Sequence, residues 1–352
     1  MHEMKTYSIK LHIITPVIIN TGEDYEPFSL YPIRTSKENR GQILNIESLA
    51  DFLRRNKYEE LIRIACRGLI NPEANEELLK AQRIIEEAYQ TAKEENKLNM
   101  LIKRTCILSP EARNALLKNP CKSVARHIVN PYNERPYIPG SSLKGAIRTA
   151  VLEDVRKNKN IDYSHDRNRS VEAQILYGYN ERINPEKDPF KYLKISDFEF
   201  ENSRTLSTIG MVNAGGKIPV FTAMTDSWVN SKTDVIARGT ISIVQRADTP
   251  KWLNIKSLLV SVHDFYADML NNKCSKAGRV PKAMDPVIGK LNSAESSDYY
   301  FMRLGHYIGL ENITMNVPNP KRYLENDKGT GHYITIEGDY LAGFCQLELE
   351  EN

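Results

Sequence analysis

The stretch that decides how this chain folds reads Tyr137-Ile138-Pro139-Gly140-Ser141-Ser142-Leu143-Lys144-Gly145-Ala146-Ile147-Arg148. Pro139-Gly140 predicts a tight turn, and either of the two serines that follow is a favoured helix N-cap. From Leu143 onward, apolar residues recur three and four positions apart. They are Leu143, Ile147, Ala150, Val151 and Val155. The sequence therefore predicts a helix that begins at this turn and buries one face.

The same helix start combines several features that suit an anion. Lys144 and Arg148 are four positions apart and so share a second face of the helix. The N–H groups of the first turn and the positive end of the helix dipole point to the same place, which favours a phosphate. Gly145 would let a nucleic-acid backbone or a neighbouring strand approach closely. An ordinary capped helix with solvated cations and a glycine packed on a sheet fits these residues as well.

A nucleotide-binding P-loop is excluded at this position. Gly140 and Gly145 have the required separation, but Ala146 and Ile147 follow where that motif needs Lys and Ser or Thr.

Length and composition indicate a globular protein. The chain has 352 residues, enough for about two domains. Its hydrophobic fraction of 41% and charged fraction of 26% are ordinary, and no apolar run has the length of a membrane span. We expect no membrane partner and a cytoplasmic location, since no basic-then-apolar leader follows Met1. The five cysteines are scattered without a C-x-x-C pair, so neither a metal site nor a cofactor is predicted.

Positive charge is concentrated just before the helix. The net charge is only +3, yet residues 101–148 carry nine Lys or Arg and two Glu. Arg126 and Arg135 belong to this basic stretch, whereas the chain ends in an acidic segment. Such a basic surface is typical of a contact with a phosphate backbone, although a solvated face has the same composition.

Hydrophobic periodicity predicts mixed secondary structure along the chain. Alternation over residues 7–13 and 124–129 indicates strands, and helical spacing over about 47–103 indicates two or three helices. In the second half we predict strands at 198–200, 239–244 and 341–349 and a helix at 252–270. Each half thus contains strands and at least one helix, so the pattern predicts two mixed α+β units.

Two further segments have the composition of ligand-contacting loops. Residues 303–309 combine two glycines with a cation, a histidine and a tyrosine, so the backbone there could approach a ligand closely. Residues 157–170 read as a surface loop in which Tyr163 and His165 could stack on a base or simply pack.

The stretch from Ile138 to Arg148 resembles the signature of the RAMP superfamily, the repeat-associated proteins of CRISPR effector complexes. Within it, the chain is similar to the family of fifth subunits of the Csm complex, the type III-A effector. Four further segments carry that similarity, and they lie at 15–25, 188–197, 303–309 and 342–344.

The resemblance implies a fold and a place in an assembly. The fold would be two ferredoxin-like modules of the RNA-recognition-motif type, whose sheet face and loops hold RNA. Residues 1–170 would form the first, with a helical insertion at about 47–120, and residues 171–352 the second. The subunit would cap the effector filament at the 3′ side of the crRNA, beside a backbone RAMP subunit. It would assist crRNA 3′-end maturation by host ribonucleases in antiviral defence.

Two classes of function follow, with different residues. The first is an RNA-binding subunit without chemistry, whose RNA contacts would be Gly140, Ser141, Ser142, Lys144, Gly145, Arg148, Arg126, Arg135, Arg303, Gly305 and His306. The second is a metal-independent endoribonuclease that processes the crRNA precursor. Such an enzyme needs a general base and a nearby cation, for which His12, His127 or His306 with a lysine would be candidates.

Two other classes have less support. A metal-dependent nuclease is disfavoured because Asp162, Asp166, Asp188 and Asp197 have no ligand spacing. A scaffold that contacts only proteins remains a third class, which crosslinking to RNA would test.

Overall fold

The computed structural model describes most of the chain. The described residues are 3–32, 39–53, 55–70, 75–119, 121–161, 168–177, 184–201, 207–213, 220–270, 282–292, 299–306, 334–336 and 340–350.

The helices within these ranges alternate with groups of strands along the chain. They are α1 (Ile46–Phe52), α2 (Arg55–Ile70), α3 (Asn75–Glu94), α4 (Leu98–Leu101), α5 (Pro110–Lys118), α6 (Gly140–Asn158), α7 (Asn168–Tyr177), α8 (Trp228–Ser231), α9 (Ile255–Asp268) and α10 (Asp285–Asn292).

The strands form two sheets. They are β1 (Glu3–Ile13), β2 (Asn20–Asp24), β3 (Leu30–Pro32), β4 (Arg40–Leu44), β5 (Ile102–Leu108), β6 (Ala125–His127), β7 (Tyr137–Ile138), β8 (Leu193–Ile195), β9 (Phe198–Phe200), β10 (Ser207–Asn213), β11 (Val220–Met224), β12 (Ile236–Gln245), β13 (Tyr299–Arg303), β14 (Ile334–Ile336), β15 (Tyr340–Leu341) and β16 (Phe344–Leu349).

The first sheet is built around β1. Its order is β13-β16-β1-β12-β9-β7, and β8 also pairs with β12. The alternation read from the sequence is confirmed, since Ile9, Leu11 and Ile13 are fully buried while the residues between them are partly exposed. Helices α6 and α9 bury their apolar faces in the same core as these residues, so the motif helix is fixed against this sheet.

The second sheet has the order β2-β6-β11-β10-β5-β4-β3, with β14 and β15 joined at β10. A small core beneath it includes residues of α5, and helices α1 to α4 form a separate apolar cluster. The stretch expected to be helical at 47–103 is therefore helical from Ile46 to Leu101, with breaks.

Both sheets take strands from both halves of the chain. Strand β1 pairs antiparallel with β12 and β16, while β5 pairs parallel with β10 and β6 with β11. The mixed α+β class is confirmed. The division into ferredoxin-like modules at 1–170 and 171–352 stays a prediction, and residue 170 does not separate the two sheets. Among the described residues we find no helix whose length and hydropathy would let it span a lipid bilayer.

Candidate nucleic-acid interface

The motif helix begins where the sequence predicts, but not with the predicted cap. Pro139 is the N-cap of α6 and makes no side-chain capping hydrogen bond, so the serine cap was wrong and both serines lie in the first turn. The N–H of Gly140 donates instead to Oδ1 of Asp197 at 2.8 Å. A carboxylate of the protein therefore holds part of the helix start that was expected to bind phosphate.

Gly140 is required for packing inside the chain. A Cβ at this position would lie 2.3 Å from the carbonyl oxygen of Ile195 and 2.5 Å from that of Ser196. Both atoms belong to the backbone and cannot rotate away. The glycine thus lets α6 dock on the β8–β9 connection, and its backbone is buried there.

Lys144 and Arg148 also face inward. Nζ of Lys144 donates to the carbonyl oxygen of Leu193 at 2.8 Å, and burial lowers the pKa of this lysine. Nη1 of Arg148 donates to Oδ2 of Asp188 at 2.7 Å, and the guanidinium lies 4.7 Å from the ring centroid of Phe190. The expected pair of cations open to a phosphate does not form, because both side chains attach α6 to residues 188–193.

We predict that Arg148→Ala reduces the stability of the fold. Loss of a partly buried charged hydrogen bond should lower the free energy of unfolding by about 2 kcal/mol, because Asp188 is left without this partner. Urea unfolding measures the change, and Arg55→Ala on α2 is the control because Arg55 and its partner Glu59 are both exposed. Equal stability of the two variants would contradict the structural role of Arg148.

A cleft of about 410 Å³ lies beside the first turns of α6, on a face of the helix other than the one that carries Lys144 and Arg148. Six of the predicted RNA contacts line it, and they are Ser141, Ser142, Gly145, Arg303, Gly305 and His306. The fold thus joins the motif helix with the loop after β13, which lies more than 150 positions later in the sequence. We name this the α6 cleft.

Two glycines shape the α6 cleft in different ways. A Cβ at Gly145 would have no atom within 4 Å in the described part of the chain, so this glycine leaves an open, flat helix surface. Gly305 has φ +110°, and a Cβ there would lie 2.7 Å from the carbonyl oxygen of Ile18. The same oxygen accepts the N–H of His306 at 2.6 Å, which fixes the loop against the connection between β1 and β2.

Arg303 supplies a buried cation to the cleft. Only 1% of this residue is exposed. Its Nε donates to the carbonyl oxygen of Ala342 at 2.8 Å, and its guanidinium lies 4.7 Å from the ring centroid of Phe344. These contacts hold its charge in place beneath the α6 cleft, where a low dielectric strengthens attraction to an anion.

Six residues that line the α6 cleft were not among the predicted RNA contacts. They are Ile19, Asn20, Ala146, Thr149, Tyr266 and Leu304. Thr149 follows Gly145 by one helical turn, and its Oγ1 donates to the Gly145 carbonyl at 3.1 Å, so helical spacing could have found it. Asn20 lies in the 15–25 segment that carries the family resemblance, whereas Tyr266 reaches the cleft through tertiary packing, for which the local sequence has no signal.

The two remaining predicted arginines lie away from the α6 cleft. Arg126 on β6 lies over the ring of Tyr25, with its Nη1 3.5 Å from a Glu23 carboxylate oxygen. Arg135 lies in the loop before β7 and lines a second, smaller cleft.

The polar face of the first sheet carries ion pairs across its strands. Nζ of Lys10 is 3.0 Å from Oε1 of Glu348 and 3.3 Å from Oε1 of Glu350. Arg238 pairs with Glu350 and Glu201, and its hydrogen bond lowers the pKa of Glu350. These carboxylates make the sheet face a poorer phosphate-binding surface than the α6 cleft.

The three candidate histidines occupy three different environments. His127 is buried, and burial followed by the charge of Arg104 lowers its pKa to about 3, so it is neutral. Its Nδ1 accepts the N–H of Ile19 at 3.2 Å. His12 lies on the first sheet with Nε2 2.7 Å from Oε2 of Glu348. His306 is exposed and lines the α6 cleft.

Of the four aspartates considered as metal ligands, the two within the described residues have hydrogen-bond partners in the protein. Asp188 accepts from Arg148 and Asp197 from Gly140. Asp162 and Asp166, like Tyr163, His165 and residues 307–309, lie outside the described residues. The described ranges contain no group of three or more His, Cys, Asp or Glu that could hold a metal ion.

Buried neutral His127 predicts acid sensitivity. Its folded pKa of about 3 is below the ordinary value of 6.5, so between these limits only the unfolded chain binds the proton. Stability should therefore fall as pH decreases through this window, by about 1.4 kcal/mol per pH unit at most. His127→Asn keeps an acceptor for the Ile19 N–H and should lose less stability than wild type between pH 7 and 5 in urea unfolding. The exposed-site control His306→Asn should keep the wild-type loss, and an equal loss in all three proteins would contradict the assignment.

The motif helix, the glycine loop and the two-sheet fold together define the class of protein. The RAMP superfamily model matches residues 10–308, and the chain belongs to that superfamily.

The chain is also similar to one relative and to two solved structures. The chain is 27% identical over 203 residues to a Methanocaldococcus jannaschii protein named "CRISPR system Cms protein Csm5". This match covers 54% of the chain and 42% of that protein, so it spans less than half of the relative's length. The fold is similar to a chain of a Csm-crRNA-target RNA ternary complex of a type III-A CRISPR-Cas system. The TM-score is 0.64 at 19% identity, covering 98% of this chain and 100% of that one. It is also similar to T. onnurineus Csm5, with a TM-score of 0.60 at 18% identity, covering 96% and 99%.

Proposed function

We propose that this protein is an RNA-binding subunit of a type III-A CRISPR effector complex and that its α6 cleft holds the crRNA backbone. The observation that carries the proposal is the convergence of Ser141, Ser142, Gly145, Arg303, Gly305 and His306 on one cleft. Similarity to a chain from a Csm-crRNA-target RNA complex supports crRNA and other subunits of the effector as partners.

The chemistry of the α6 cleft suits a sugar–phosphate backbone. Hydroxyl groups from Ser141 and Ser142 and the side-chain amide of Asn20 can bond phosphate and ribose oxygens. The Thr149 hydroxyl, which donates to the Gly145 carbonyl, can accept from a ribose hydroxyl. Gly145 allows close approach, and Arg303 supplies positive charge. Such contacts position RNA without reading its bases. Lys144, Arg148 and Gly140 contribute by fixing α6, so we assign them a structural role and not a phosphate contact.

The place of the subunit in the assembly is part of the proposal. We propose that it caps the filament at the 3′ side of the crRNA, next to a backbone RAMP subunit. There it protects or presents the crRNA 3′ end to host ribonucleases during maturation. The support is the resemblance of the motif and loop segments to the fifth-subunit family.

We propose that the protein has no chemistry of its own. His127 is buried and neutral, His12 is hydrogen-bonded to Glu348, and His306 alone of the three lines the α6 cleft. Incubation of the purified protein with precursor crRNA in EDTA should leave the RNA intact. Site-specific cleavage that disappears in His306→Ala would establish the endoribonuclease instead.

The RNA-binding proposal is tested by titrating the full chain with labelled single-stranded RNA at several salt concentrations. Phosphate contacts release counterions, so the affinity should fall as salt rises, with a log–log slope of about −0.7 per contacted phosphate. Binding that does not respond to salt, or no binding of RNA, would overturn the proposal.

A further inference from the structure

A second cleft lies on the other side of the motif turn, away from the α6 cleft. It has a volume of about 160 Å³ and is lined by the loop of residues 130–136 and by residues of β7 and β9. Drug-sized pockets measure roughly 300–1,000 Å³, so this one suits a single planar ring system. We name it the Tyr132 cleft.

The loop on one side of the cleft presents an aromatic ring to solvent. Tyr132 is 96% exposed. The loop is closed by the Asn130 N–H donating to the Arg135 carbonyl at 2.8 Å, with Val129 and Pro136 bridged beside it. An exposed ring on an internally bonded loop is already arranged for stacking, so little ordering entropy is lost on binding.

Three side chains, two of them amides, also hold this loop by hydrogen bonds to its backbone. Oδ1 of Asn130 accepts the Tyr132 N–H at 2.9 Å, and Oδ1 of Asn133 accepts the Arg135 N–H at 3.0 Å. Nη1 of Arg104 donates to the Glu134 carbonyl at 2.9 Å, which ties the loop to the second sheet.

The opposite side of the cleft carries acceptors beside a second aromatic ring. Tyr137 and Glu199 are direct partners in the β7–β9 ladder, so their side chains are neighbours on one face. Glu199 is exposed, and the ion pairs found among the described residues do not involve it. Asp197 lines the cleft as well, but one of its oxygens already accepts from Gly140.

The charge distribution selects a base over a phosphate. Two carboxylates and one cation, Arg135, line the cleft, so its centre disfavours an anion. A carboxylate accepts two adjacent N–H donors, and guanine carries such a pair on its Watson–Crick edge. Arg135 can meet the phosphate that accompanies the base.

We propose that the Tyr132 cleft is a base-reading site that takes one guanine of a single-stranded RNA. The ring stacks on Tyr132, and the Glu199 carboxylate accepts from the guanine edge. The proposal rests on the proposed RNA-binding function and adds base preference to a site that would otherwise hold only backbone.

The test compares short uridine oligoribonucleotides that carry one central guanosine, inosine or adenosine, titrated by fluorescence anisotropy into the full chain. Inosine lacks the exocyclic amino group of guanosine. The guanosine RNA should bind about tenfold more tightly than the inosine RNA, since one hydrogen bond to a charged acceptor is lost. Glu199→Gln should remove most of this preference for guanosine over inosine. Glu47→Gln, an exposed carboxylate on α1, is the matched control and should retain the preference.

Tyr132→Ala separates stacking from edge recognition, because it should weaken binding of all three RNAs by about the same factor. Wild-type protein that binds the three RNAs equally would overturn the base site while leaving the proposed RNA-binding function intact. Variants of Tyr132 and Glu199 that match wild type on every RNA would likewise overturn the base site. Failure of all the oligonucleotides to bind would overturn both proposals.

Discussion

Gly145→Glu should abolish most RNA binding without unfolding the protein. An acidic side chain in the α6 cleft would oppose the phosphates, and like-charge contacts of this kind cost several kcal/mol, so affinity should fall about 100-fold. The position tolerates a side chain, because a Cβ there meets no described atom within 4 Å. Replacing a helix-interior glycine by glutamate should even stabilise the helix by roughly 0.5 kcal/mol. Anisotropy titration with labelled RNA and urea unfolding measure the two effects separately.

The matched control for this variant is Gly289→Glu. Gly289 is also an exposed helical glycine, and a Cβ there would meet none of the atoms that the structure describes within 4 Å. It lies on α10, outside the α6 cleft. The two variants carry the same change in net charge, so any difference between them reports the position. If both bind RNA equally well, the α6 cleft is not the RNA site.

Gly140→Ala should destabilise the protein strongly, although it adds only a methyl group. Its Cβ would lie 2.3 Å from one backbone carbonyl and 2.5 Å from another, so either α6 or the β8–β9 connection must move. Overpacking against such rigid atoms should lower the free energy of unfolding by about 3 kcal/mol. Thermal or urea unfolding of the full chain measures the change.

The same substitution five residues further along the helix should change stability in the opposite direction. The Cβ of Gly145→Ala would meet no atom within 4 Å among the described residues, so the change should raise stability by about 0.5–1 kcal/mol. Two destabilised variants, or two neutral ones, would contradict the assignment of Gly140 to packing and Gly145 to an open ligand surface.

Local chemistry predicted the elements of this fold better than their assembly. The alternation over residues 7–13 identifies β1, and the three-and-four spacing after Leu143 identifies α6, because each pattern reports one buried face. The pairing of β1 with β12 and β16 joins residues more than 200 positions apart, and no local periodicity records such partners. For that reason the α+β class could be predicted while the sheet order could not.

In the candidate site, too, local features could be predicted from the sequence, whereas contacts between distant residues could not. The motif and the glycine loop were both identified from composition, and the fold brings them to one cleft. The roles of Lys144 and Arg148 could not be assigned, because an i, i+4 pair of cations looks the same whether it faces solvent or Leu193 and Asp188. The serine cap was wrong for a related reason, since Asp197 satisfies the Gly140 N–H from a distant strand connection.

Binding of crRNA in the α6 cleft is tested by photocrosslinking 4-thiouridine-substituted crRNA in the assembled effector complex, with the attached peptides mapped by mass spectrometry. We expect crosslinks in this chain within residues 141–149 and 303–306, which line the α6 cleft from two separate parts of the sequence. Gly145→Glu should remove them, and Gly289→Glu should retain them. Crosslinks confined to the ion-paired face of the first sheet, or a chain without any label, would show that the α6 cleft does not hold the crRNA.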